Sequence, residues 1–95
     1  MFHINFTKYA DKKTRKLISK NNSLQKFLLE TLELLSESPF DFGLRTHKVN
    51  SRKYGLAYSS RINGDLRLIW DFDGQEVVFI TIQDIGGHSG GNAVY

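Results

Sequence analysis

The chain has 95 residues, the length of one small domain spanning 1–95, and its 40% hydrophobic and 24% charged content excludes an intrinsically disordered segment. It has no cysteine, which excludes a disulfide framework, a thiolate metal site and a cysteine nucleophile. The net charge of +3 is unevenly spread: Met1 to Leu56 carries 11 Lys/Arg against 5 Asp/Glu, and Ala57 to Tyr95 carries 2 against 5. No apolar run is long enough to span a membrane, and the N-terminus lacks a signal-peptide pattern, so a cytoplasmic protein without membrane contact is expected.

In chain order, Phe2, Ile4 and Phe6 alternate with His3 and Asn5, the period of a half-buried strand that leaves His3 exposed. Thr7 or Asp11 then caps a helix running to about Lys20, with Tyr9, Leu17 and Ile18 as its inward positions. Asn22, followed by Gln25 three residues on, opens a second helix with the stripe Leu24, Phe27, Leu28, Thr31, Leu32 and Leu35, which Pro39 stops. Phe40 to Lys53 reads as a loop with some extended character. Strands follow at Leu56–Ser60, Leu66–Trp70 and Val77–Ile82, separated by the turn dipeptides Asn63-Gly64 and Asp73-Gly74. Gly86 to Gly91 reads as a glycine-rich loop, and Ala93–Tyr95 as a short last strand. Helices and strands segregate along the chain, so the class is α+β: an N-terminal strand, then two helices packed on one face of a small, mostly antiparallel sheet.

The chemistry-bearing residues converge on the second half. Between Leu44 and Arg67 stand Arg45, Lys48, Arg52, Lys53, Arg61 and Arg67 against Asp65 alone, an excess that suits a polyanion such as RNA. Arg61 and Asp65 flank a turn, and Arg67 has the opposite parity to Leu66, Leu68 and Trp70, which puts it on the sheet face away from the helices. His47 in the basic loop and His88 in the glycine-rich tail complete the constellation. The three histidines are too scattered for a metal site, and the glycines precede neither a Lys-Ser/Thr pair nor a helix, so neither a metal nor a nucleotide cofactor is expected.

Several segments resemble the RelE/ParE superfamily of toxins from type II toxin–antitoxin systems, in particular its RelE/StbE, YafQ-like branch. They are Ser38-Pro39-Phe40, Leu44-Arg45-Thr46-His47-Lys48-Val49, Tyr58 to Trp70, Asp84-Ile85-Gly86-Gly87-His88 and the final Val94-Tyr95. The resemblance implies a metal-independent mRNA interferase that cuts ribosome-bound mRNA by attack of a ribose 2′-oxygen on the adjacent phosphate, and a cognate antitoxin as partner. It casts His47 and His88 as general acid and base, Arg61 and Arg67 as phosphate holders, and Asp65 as the group that orients a histidine. Tyr95 would stack on or position a base. Arg45, Lys48, Arg52 and Lys53 would add substrate-binding charge. The chain departs from the family where it has Arg61 for a second histidine, Asp84 for an arginine, and Ser59 and Ser60 near the RelE lysine pair. Two other readings stand beside the ribonuclease: a ParE-like toxin that inhibits gyrase, and a weakened member that only binds antitoxin or RNA.

Overall fold

The alternation at the N-terminus produces strand β1 (His3–Phe6), in which Ile4 and Phe6 are half-buried against the core and His3 and Asn5 are exposed. The computed structural model describes residues 1–74 and 79–87. Helix α1 (Lys8–Ile18) is capped by Thr7, whose Oγ1 accepts from the Ala10 N–H at 3.1 Å. Its inward stripe begins with Ala10 and Thr14, both buried, and continues through the partly buried Leu17 and Ile18. Tyr9 is not inward but half exposed, because its stripe is one residue out of phase with Ala10. Helix α2 (Asn22–Glu37) starts one residue earlier than expected: Asn21 is the cap, accepting from the Leu24 N–H at 3.0 Å. Leu24, Leu28, Thr31 and Leu35 are buried, whereas Phe27 is 49% exposed.

The expected loop after Pro39 contains a strand. A single 3₁₀ turn (Phe42–Leu44) leads to Arg45 in the left-handed region (φ 50°), and strand β2 (His47–Ser51) comes next. Only Val49 among its residues is apolar, so it lacks the alternation that announces a strand. Its existence depends on pairing with β3 (Gly55–Arg61). Strands β4 (Leu66–Phe72) and β5 (Phe79–Gly87) complete a five-stranded sheet of order β1-β5-β4-β3-β2. Three of its four pairings are antiparallel, and β1 runs parallel to β5. The class is therefore α+β as expected, with a mixed sheet.

Strand β5 departs from regular pairing, and this decides which of its side chains reach each face. The register between β4 and β5 pairs Ile69 with Asp84 but Trp70 with Ile82, so Gln83 is an extra residue in a β-bulge. The bulge lets Ile82 and Ile85 both join the core under the helices despite their odd spacing, and it turns Asp84 to the opposite face. Gly86 and Gly87 belong to β5 and are buried in it, rather than opening a loop. The main core gathers Leu68, Trp70, Ile80, Ile82 and Ile85 with the helical leucines, while Ala57 and Ile69 form a second small cluster with Val49 and Tyr54.

Candidate functional site

The tip of the β3–β4 hairpin gathers positive charge on a backbone carbonyl. Arg61 and Arg67 are the last cross-strand pair before the tip. Asn63-Gly64 is not a two-residue turn; instead the Asn63 side chain organises a wider loop, its Oδ1 accepting from the Asp65 N–H at 2.9 Å and the Leu66 N–H at 2.8 Å. The same residue's carbonyl accepts from Arg61 Nε at 3.1 Å and Arg67 Nη1 at 2.8 Å, and Arg67 Nη1 also reaches the Leu66 carbonyl at 3.1 Å. Two guanidinium groups are thus drawn to one uncharged oxygen. Among the described residues neither is ion-paired with a carboxylate, although Asp65 sits exposed in the same loop. The tip therefore presents two guanidinium forks side by side, the group whose geometry matches the oxygens of a carboxylate or phosphate.

His47 shares the face. It lies opposite Ser59 on β3, and Ser59, Ile69 and Asp84 continue the same row across the sheet. Arg61 is two residues beyond Ser59, which makes it the diagonal neighbour of His47 at roughly 7–8 Å between Cα atoms. The His47 Nδ1 lies 3.0 Å from the Arg45 carbonyl oxygen. A carbonyl only accepts, so Nδ1 carries the hydrogen, and in the neutral ring Nε2 is the basic nitrogen.

A chain of hydroxyl groups fixes the backbone beside His47. The Trp70 indole N–H donates to Ser60 Oγ at 2.7 Å, Ser60 Oγ lies 2.6 Å from Thr46 Oγ1, and Thr46 Oγ1 donates to the Pro39 carbonyl at 2.7 Å. Indole is a donor and a carbonyl an acceptor, so the direction is settled: Trp70 to Ser60, Ser60 to Thr46, Thr46 to Pro39. Trp70 and Ser60 are fully buried. The chain therefore ties Thr46, between Arg45 and His47, to the core. Sequence reasoning missed this relay. Its signal was a tryptophan on an inward strand position, which must find an acceptor for its indole N–H.

The remaining basic residues disperse. Lys48 is exposed and alternates to the other face from His47. Arg45 is exposed and stands over the Phe42 ring at 5.8 Å. Arg52 and Lys53 occupy the β2–β3 turn, the opposite end of the strands from Arg61, where Lys53 Nζ sits 4.0 Å from the Tyr9 ring centroid. His88 and Tyr95 lie outside the described residues; β5 ends at Gly87, opposite Leu66 beside the hairpin tip. Among the described residues no three of His, Asp and Glu come together as a metal-binding group.

Asp84 plays a different part. Its carboxylate accepts from Lys13 Nζ at 2.9 Å, from the Tyr54 hydroxyl at 2.8 Å and from the Ile85 N–H at 2.8 Å. Burial, reinforced by the hydrogen bond and charge of Asp84, pushes the Tyr54 hydroxyl well above its ordinary pKa. Asp84 is thus the knot that joins α1 and the β2–β3 turn to β5.

The sequence matches no protein-family model and no curated protein. Its likeness is to solved structures. The YoeB–YefM complex from Staphylococcus aureus is 23% identical, with a TM-score of 0.71 over 94% of this chain and 99% of that one. The archaeal RelE–RelB complex from Pyrococcus horikoshii OT3 is 19% identical, with a TM-score of 0.70 over 93% and 96%. YafQ from E. coli strain BL21(DE3) is 17% identical, with a TM-score of 0.69 over 92% and 93%. The likeness is one of fold: this chain shares the fold of these YoeB, RelE and YafQ structures.

Proposed function

We propose that this protein is the toxin of a type II toxin–antitoxin system and a metal-independent endoribonuclease that cuts mRNA on the ribosome in the cytoplasm. The observation that carries the reading is the hairpin tip, where Arg61 and Arg67 converge, with no carboxylate counter-ion among the described residues, on the face that holds His47. A cation pair of this kind stabilises a phosphate that gains negative charge. His47 Nε2 removes the ribose 2′-hydroxyl proton, and the 2′-oxygen bonds to the adjacent phosphorus. Arg61 and Arg67 hold the phosphorane oxygens. The bond from phosphorus to the 5′-oxygen breaks, and His88 delivers a proton to that oxygen. The products are a 2′,3′-cyclic phosphate and a 5′-hydroxyl, with every atom and proton accounted for. Asp65 at the tip orients the catalytic histidine that reaches it, Tyr95 positions a base, and Arg45 adds charge beside His47. Lys48, Arg52 and Lys53 contribute only to distant strand contacts.

A cognate antitoxin is the expected protein partner, by analogy with the YoeB–YefM and RelE–RelB complexes. The test is mRNA cleavage in a reconstituted translation reaction, mapped by primer extension, with and without ribosomes. Cuts at defined codon positions that vanish in His47→Ala and His88→Ala are expected. Absence of cuts by correctly folded wild-type protein would overturn the reading and leave gyrase inhibition or binding alone.

A further inference from the structure

Helix α1 carries a charge pattern that its own stability does not explain. Lys8, Lys12 and Lys16 are all exposed and succeed one another at four-residue steps, and Lys20 continues the spacing past the helix end. Like charges at this spacing repel and destabilise a helix. Lys8 also stands at the first helical position, where the positive end of the helix dipole disfavours a cation. The single acid of the helix, Asp11, is already engaged by Arg15 at 3.0 Å, and Lys13 is engaged by Asp84. Among the described residues, the ridge lysines therefore keep their charge uncompensated by any ion pair. The neighbouring α2 has a different balance, with Lys26 against Glu30, Glu33 and Glu37.

We propose that the Lys8–Lys12–Lys16 ridge docks the phosphate backbone of RNA, at a site separate from the Arg61–Arg67 pair. Four helical residues advance about 6 Å, a step comparable with that between neighbouring phosphates of a strand. Charge complementarity decides the kind of partner. Protein interfaces are depleted in lysine and centre on apolar anchors, whereas the ridge presents ammonium groups alone. Backbone contacts of this kind position a nucleic acid without reading its sequence. The choice of RNA over DNA rests on the proposed function. α1 supplies none of His47, Arg61 and Arg67, so the two contacts would hold one RNA at two places.

The test uses fluorescence anisotropy with a 2′-O-methylated, single-stranded RNA, which binds but lacks the attacking hydroxyl. The variant is K8A/K12A/K16A. Alanine favours helix and the change removes repulsion, so the variant should melt at or above wild type. Its affinity should fall about tenfold or more at moderate salt, and the slope of log K against log salt should flatten by about two. Unchanged affinity and slope would overturn the ridge. Equal binding of a DNA oligonucleotide, or displacement of the RNA by an acidic polypeptide at similar affinity, each lost in the variant, would overturn RNA as the occupant. A protein that binds the probe through these lysines yet cuts no RNA would sink the cleavage reading and keep the ridge. One that cuts RNA but binds the probe equally with the alanines in place would do the reverse.

Discussion

Two regions of the sheet handle charge in opposite ways. Where Tyr54 of the β2–β3 turn reaches β5, the buried charge is answered: Asp84 holds Lys13, the Tyr54 hydroxyl and a backbone N–H. At the β3–β4 tip, Arg61 and Arg67 converge on a neutral carbonyl. The first arrangement fits the physics of a joint, in which a buried charge survives only when paired and hydrogen-bonded. The second leaves two half-buried guanidinium groups together with no carboxylate between them among the described residues. Compensated charge marks where the molecule is held together, and on the proposed function the uncompensated pair is where the phosphate would sit.

The largest effect should come from breaking the joint. Asp84→Ala leaves the Lys13 ammonium and the Tyr54 hydroxyl without their acceptor, and breaking a buried pair in this way costs about 3 kcal/mol. Urea denaturation should show that loss, while RNA cleavage per folded molecule stays near wild type. A stable Asp84→Ala protein would dissolve the contrast between the two regions. The tip should behave inversely. Arg61→Ala and Arg67→Ala should each lower cleavage about 10²–10³-fold, the scale of losing one charge-stabilising donor, with stability changed by less than about 1 kcal/mol. Lysine at either place should restore little, since a point charge does not reproduce the guanidinium fork. A tip variant that unfolds but keeps its specific activity would invert the assignment.

Between these lies the hydroxyl relay. Thr46→Val removes a donor to the Pro39 carbonyl and the acceptor of Ser60, so it should cost about 1–3 kcal/mol, and Thr46→Ser should recover most of it. If the relay also holds the Arg45 carbonyl, nitrogen NMR of the His47 ring should show a mixed tautomer in Thr46→Val and a single Nδ1–H form in wild type and Thr46→Ser. Identical spectra would confine the relay to stability.

What the sequence could show depended on whether the information was local. The alternation of β1 and β4, the leucine stripe of α2 and the parity of Arg67 are local, and the structure agrees with them. Strand β2 was not legible because its sequence, HKVNS, has no periodic apolar face and is defined by its partner. Nor was the bulge at Gln83, which alone explains why Ile82 and Ile85 share a core. The basic run reads as one patch, yet strand geometry divides it between two faces and two ends, and of its members Arg61 and Arg67, with the adjacent Arg45, stay near His47. The meeting of Tyr54 and Lys13 at Asp84 is not legible either, since each reaches Asp84 only across a long sequence separation.

The smallest effect is a dependence on alkaline pH, and it belongs to the joint. Tyr54 keeps its proton in the folded state to a higher pH than in the unfolded chain. Below the ordinary tyrosine pKa of about 10, both states hold the proton and the shift has no effect on stability. Above it, the unfolded chain ionises while the folded one does not, so stability falls as pH rises. Tyr54→Phe removes the ionisation and also one hydrogen bond to Asp84, at a cost of about 1 kcal/mol near neutrality. Urea midpoints of wild type and Tyr54→Phe should therefore differ near pH 8 and approach one another between pH 10 and 11.5. Midpoints that stay a fixed distance apart would mean that Tyr54 ionises equally readily in both states. The buried bond to Asp84 would then be weaker than its 2.8 Å length implies.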